Sequence, residues 1–107
     1  MFEKNLKIYA EIIDQCDRFE RKGKTVPYTS ANGHMFSLIN KDGEVGFRYD
    51  KKVHAEYLEK YDTAQLMSHG ANMRGYIIIH DSMLKDQELC IKLLNESFDY
   101  VMSLDPK

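Results

Sequence analysis

His34, Arg48 and Asp50 are the titratable side chains of this 107-residue sequence that a single local fold would bring together. An imidazole that titrates near neutrality, set beside a carboxylate and a guanidinium, could move a proton or hold an anionic ligand if the groups converge. Convergence depends on strand pairing. If Met35 to Ile39 run antiparallel to Val45 to Tyr49 around the Lys41-Asp42-Gly43 turn, His34 falls near Tyr49 and Asp50 at the open end of the hairpin. Asn32, in the turn before His34, completes this candidate binding set. The plainer account is a turn histidine beside an aspartate that caps a helix.

The remaining chemistry-bearing residues make no stronger constellation. His34, His54, His69 and His80 lack the paired spacing of a zinc site on one element, and HExxH is absent. His54-Ala55-Glu56 has the H-x-E form of zinc deaminases without the P-C-x-x-C partner. No metal or other cofactor is expected, and no catalytic residue is assigned. Cys16 and Cys90, far apart and each within a predicted helix, read as free buried thiols rather than a disulfide. Arg18, Arg21, Lys22 and Lys24, with Phe19 and Tyr28 nearby, could supply phosphate contacts and a stacking surface for nucleic acid. Helix capping and solubility explain the same cations. A Walker loop and GxGxxG are both missing, and the sequon Asn95-Glu96-Ser97 falls inside a predicted helix.

Composition narrows the function classes. Lys+Arg total 15 against 17 Asp+Glu, so the net charge of −2 excludes a protein whose main surface is basic. Nucleic-acid binding through four cations would be weak and salt-sensitive. With 43% hydrophobic residues the chain fits one domain over 1–107. No run approaches the roughly 18 apolar residues of a membrane span. Met1 to Lys4 lead into a charged periodic segment rather than a signal peptide, so the expected compartment is the cytosol.

The elements that must position these residues follow from periodicity. Phe2, Leu6, Tyr9, Ile13 and Cys16 share one face of a helix predicted from Phe2 to about Phe19, with Gly23 as terminator. Tyr28 to Ala31 predict a first strand, closed by Asn32-Gly33. The hairpin strands follow, joined through Asn40-Lys41-Asp42-Gly43, where Gly43 supplies a positive φ. Simple alternation places Phe36 and Leu38 on one face, and Met35, Ser37 and Ile39 on the other. Asp50 caps a short charged helix carrying Val53, Tyr57 and Tyr61. Thr63 to Met67 suggest a short strand, Ser68 to Gly75 a loop, and Tyr76 to His80 an internal strand. Asp81, Ser82 or Asp86 caps the last helix, which carries Ile91, Leu94, Phe98 and Val101 and ends by Pro106. Strand pairs flanked by helices indicate an α+β fold: an antiparallel sheet of about five strands, an amino-terminal and a carboxy-terminal helix, and a short central helix.

Several ordered blocks carry a family resemblance. Tyr28-Thr29-Ser30-Ala31-Asn32-Gly33-His34-Met35-Phe36-Ser37-Leu38, then Gly43 with Phe47-Arg48, then Gly70, Met73 and Tyr76, and finally Ser97, Tyr100 and Leu104-Asp105-Pro106-Lys107, resemble the TfoX amino-terminal domain family. The resemblance implies a secretion-chaperone-like α+β sheet with helices packed on it. It supplies no catalytic residues. The better-known members are regulators of DNA-uptake competence that carry a further carboxy-terminal domain; this chain is expected to be a single-domain member without it.

The expectation is a small non-enzymatic module that works by protein contact. Apolar groups on both faces of the first hairpin strand predict a homodimer through an uncovered sheet face. The alternatives are a nucleic-acid-associated regulator using the Arg18 to Lys24 patch, and a small-ligand binder or enzyme around His34, Arg48 and Asp50. No membrane partner is expected.

Overall fold

A computed structural model describes residues 2–68 and 70–107. Helix α1 (Phe2–Asp14) is followed by strands β1 (Tyr28–Ala31), β2 (His34–Ile39) and β3 (Val45–Arg48) and by helix α2 (Lys51–Lys60). Strands β4 (Gln65–Ser68) and β5 (Ala71–Ile79) come next, then the short α3 (Asp81–Leu84) and α4 (Gln87–Met102). The strands form one antiparallel five-stranded sheet in the order β1-β2-β3-β5-β4. This is an α+β arrangement, with β5 internal as its unbroken Ile77-Ile78-Ile79 run predicts.

Local chemistry explains most boundaries. Asn40 Oδ1 accepts the amides of Asp42 and Glu44 at 3.0 and 2.9 Å, which closes the β2–β3 turn and sets Ile39 opposite Val45. Asp50 accepts Val53 N–H at 2.9 Å and starts α2; Asp86 accepts Leu89 N–H at 3.1 Å and starts α4. One sheet face is covered by α1, α3 and α4, whose Tyr9, Ile12, Ile13, Leu84, Leu93, Leu94 and Val101 bury Phe36, Val45, Phe47, Ile77 and Ile79. Leu38, Leu66 and Tyr76 form a separate cluster on the opposite face.

Tertiary contacts moved three boundaries. Helix α1 ends at Asp14 rather than Phe19, which leaves Cys16 beyond it, because Phe19 turns aside to pack on Phe36 and Phe98 at centroid distances of 5.1 and 5.2 Å. Gly23 therefore terminates no helix: it lies in a turn closed by the Lys22–Tyr28 backbone pair. Strand β5 begins at Ala71, inside the expected loop, because pairing with β4 extends it. Helix α4 stops at Met102, four positions before Pro106.

The fourth difference governs the rest of the molecule. Thr29 pairs with Ser37 but Ser30 pairs with Met35, so Phe36 is an extra residue in β2. Such a bulge interrupts alternation. Phe36 and Ser37 both face the helices, Phe36 against Phe19 and Phe98 and Ser37 against the Tyr9 hydroxyl. Phe36 and Leu38 consequently lie on different faces, while Met35 and Leu38 share the open one.

Candidate functional site

The bulge also decides the fate of the expected polar set. Pairing between β2 and β3 stops at Ser37 and Phe47, so the strand ends that carry His34 and Asp50 separate. Ser97, fully buried in α4, fills the split: its hydroxyl lies 3.0 Å from Phe36 O and 2.5 Å from Arg48 O. Among the described residues no hydrogen bond or ion pair joins His34, Arg48 and Asp50. Arg48 lies against the Tyr100 ring, 5.7 Å from its centroid, and Asp50 is occupied as the α2 cap.

Asn32 and His34 face the carboxy-terminal segment instead. Asn32 and Gly33, with φ of 56° and 80°, form the two-residue loop between β1 and β2. Asn32 Nδ2 donates to Val101 O at 3.0 Å and Leu104 O at 2.8 Å; Val101 O also accepts Leu104 N–H, so the loop adds a second donor at the end of α4. His34 Nε2 donates to Asp105 O at 2.9 Å, and Lys107 N–H donates to Asn32 O. A Cβ at Gly33 would lie 2.7 Å from Lys107, so the loop and the tail fit at close range.

The basic segment is partly engaged. Arg18 pairs with Asp99 and lies over the Phe98 ring; the Asp99 hydrogen bond raises its pKa. Arg21 stands 3.9 Å from Asp14. Lys22 is fixed through its backbone to Tyr28, and Lys24 lines a shallow depression with Arg21. The histidines are dispersed: His54 Nε2 is 3.2 Å from Tyr76 O and His80 Nε2 is 2.8 Å from Tyr61 O. His69 lies outside the described residues. Among those described, no three His, Cys, Asp or Glu side chains gather as a metal site requires. Cys16 and Cys90 are free and buried; burial pushes the Cys90 thiol up to about 12, and its Sγ is 3.1 Å from Met83 O.

What the fold assembles, and periodicity did not reveal, is a second apolar cluster on the sheet face away from the helices, with an apolar cleft beside it. Leu38 from β2, Leu66 from β4 and Tyr76 from β5 are buried there, with Tyr28, Met35, Met73 and Ile78 packed around them. Tyr76 Oη donates to Met35 O at 2.7 Å, tying β5 to β2 across β3. Burial raises that phenol to about 12, an effect partly offset by nearby Arg48. Beside this cluster a cleft of about 540 Å³ is lined mainly by Phe2, Val26, Pro27, Tyr28, Met35, Leu38, Ile39 and Met73, with Asn40 and Lys41 at its polar edge. Val26 and Met67 are exposed large apolar side chains, and Met67 O receives the Asn40 amide at the cleft wall. Met35 and Leu38 could be found from sequence only by anticipating the bulge.

Among the described residues no helix is long and apolar enough to cross a membrane. No protein-family profile, curated protein or solved structure matches the chain.

Proposed function

We propose that this chain is a small cytosolic protein-interaction module, regulatory rather than enzymatic, and that its working surface is the open face of the sheet, docked against a second copy of itself. The apolar cleft bounded by Val26, Tyr28, Met35, Leu38 and Met73 carries the reading. Exposed Val26 borders the cleft, so an exposed apolar side chain and an apolar recess lie on one patch. A two-fold contact requires that kind of self-complementarity. The methionines suit it, because an unbranched thioether adapts to an irregular opposing surface.

Membership in the TfoX amino-terminal domain family belongs to the same proposal. Its support is that two of the resembling blocks, Asn32-Gly33-His34 and Leu104 to Lys107, are hydrogen-bonded to each other. The nucleic-acid alternative has less support, since Arg18 and Arg21 already face Asp99 and Asp14.

Light scattering across a concentration series tests the contact. The parent chain is expected to dimerise, and Met73→Lys to remain monomeric with an unchanged circular dichroism spectrum. A parent that stays strictly monomeric at high concentration refutes the dimer, as does a Met73→Lys dimer of parental affinity.

A further inference from the structure

Arg48, Lys51 and Arg74 converge on a cleft of about 500 Å³ between the amino-terminal end of α2 and strands β3 and β5, and no carboxylate among the described residues lines it. The chain carries more Asp+Glu (17) than Lys+Arg (15), so this is a marked separation of charge. A second cleft shares the walls Tyr49 and Tyr100 and holds Asp50, Glu96 and Asp99. Those carboxylates already have partners: Asp50 accepts Val53 N–H, Glu96 accepts the Tyr57 hydroxyl, and Asp99 faces Arg18. The cations do not. Among the described residues the ion pairs are Arg18–Asp99 and Arg21–Asp14, and no hydrogen bond engages the side chains of Arg48, Lys51 or Arg74.

The surrounding groups hold the cleft without consuming its donors. The Tyr100 ring supports the Arg48 guanidinium, a contact that leaves the N–H groups free. Gly75, at φ +84°, makes room: a Cβ there would lie 2.9 Å from Tyr49 O and 3.4 Å from Arg48 Cγ. Lys51 opens α2, where the helix dipole adds positive potential, and His54 one turn on is fixed to Tyr76 O. Three unpaired cations around one opening repel each other, and a multiply charged anion relieves that repulsion.

We infer that this cleft binds a small phosphorylated molecule, its phosphate held by the forks of Arg48 and Arg74 and by the Lys51 ammonium. Guanidinium forks match phosphate oxygens two at a time, and the volume suits a ligand of nucleotide size. The site goes beyond the sheet-face contact and does not depend on it.

Amide-resolved NMR titration of the full chain with AMP, and separately with pyrophosphate, at low salt tests the inference. Saturable shifts are expected at the amides of Arg48, Lys51 and Gly75. Lys51→Gln and Arg74→Gln sit at exposed positions that leave the fold intact, and each is expected to weaken binding about tenfold. Lys22→Gln and Lys24→Gln are expected to leave it unchanged. Shifts that never saturate, or affinity indifferent to Lys51→Gln and Arg74→Gln, overturn the assignment. Equal losses from the Lys22 and Lys24 variants would reduce it to general charge attraction and overturn it too. A phosphoserine peptide that saturates the cleft where AMP and pyrophosphate fail overturns the small-molecule occupant.

Discussion

Ser97 shows how one small side chain can decide a site. The bulge at Phe36 ends β2–β3 pairing at Ser37 and Phe47, and the Ser97 hydroxyl is the polar group delivered to the Phe36 and Arg48 carbonyls beyond it. Periodicity makes the α4 stripe legible through Leu94, Phe98 and Val101, yet a serine between them reads as solvent-facing or accidental. Ser97→Ala removes the single O–H donor that the two carbonyl oxygens share near the core. The expected loss is about 1–2 kcal/mol in urea unfolding, the cost of an unsatisfied buried acceptor. A variant as stable as the parent would mean that water reaches the split and replaces the hydroxyl.

At the scale of elements, the β1–β2 loop acts as a cap on α4. Asn32 puts its amide nitrogen between the Val101 and Leu104 carbonyls, at the negative end of the helix dipole. Asn32→Asp tolerates the same positive φ but replaces a donor with an acceptor and adds a negative charge where the helix is already negative. We expect it to cost about 1–2 kcal/mol at neutral pH. The sign with pH is fixed by that repulsion. The new carboxyl group has a higher pKa folded than unfolded, so the penalty is absent below the unfolded value of about 4 and grows as pH rises through it. Asn32→Gly, which loses the donor without adding charge, should cost less. Thermal melts of the pair at acid and neutral pH separate the two contributions, and equal losses at both pH values would remove the dipole from the account. The turn itself was legible as Asn32-Gly33, but its partner lies at the other end of the chain.

Across the whole molecule, four phenols tie distant elements together. Tyr9 reaches Ser37, Tyr49 Oη donates to Leu93 O at 2.6 Å, Tyr57 binds Glu96, and Tyr76 binds Met35 O. Burial raises all four pKa values, with Glu96 adding to the rise at Tyr49 and Tyr57, and Tyr76 reaches about 12. In the unfolded chain a phenol ionises near pH 10. The unfolded state therefore loses protons that the folded state keeps. Stability should be fully present below about pH 10 and fall as pH rises toward the folded values. Phenolate absorbance followed beside circular dichroism checks this: these phenols should ionise only as the fold is lost. A melting temperature that stays flat through the alkaline range, with phenolate forming in intact protein, would contradict it.

Sequence alone determined the α+β class, the Asn40-Lys41-Asp42-Gly43 hairpin turn and the Asp50 cap; it left Asp86 as one of three caps for the last helix and did not anticipate the short α3. What it determined depends on neighbours within a few residues, where periodicity and turn chemistry act directly. Tertiary structure decided which residues meet. Phe19 left its helix for Phe36 and Phe98; the bulge at Phe36 exchanged the faces of β2; and His34 went to Asp105 instead of Asp50. Arg48, Lys51 and Arg74 come from β3, α2 and β5, and they meet because β5 pairs with β3 across α2 and β4 in the chain. No local spacing encodes such a meeting. It comes from long-range packing, in which one extra residue in a strand outweighs the alternation that sequence displays.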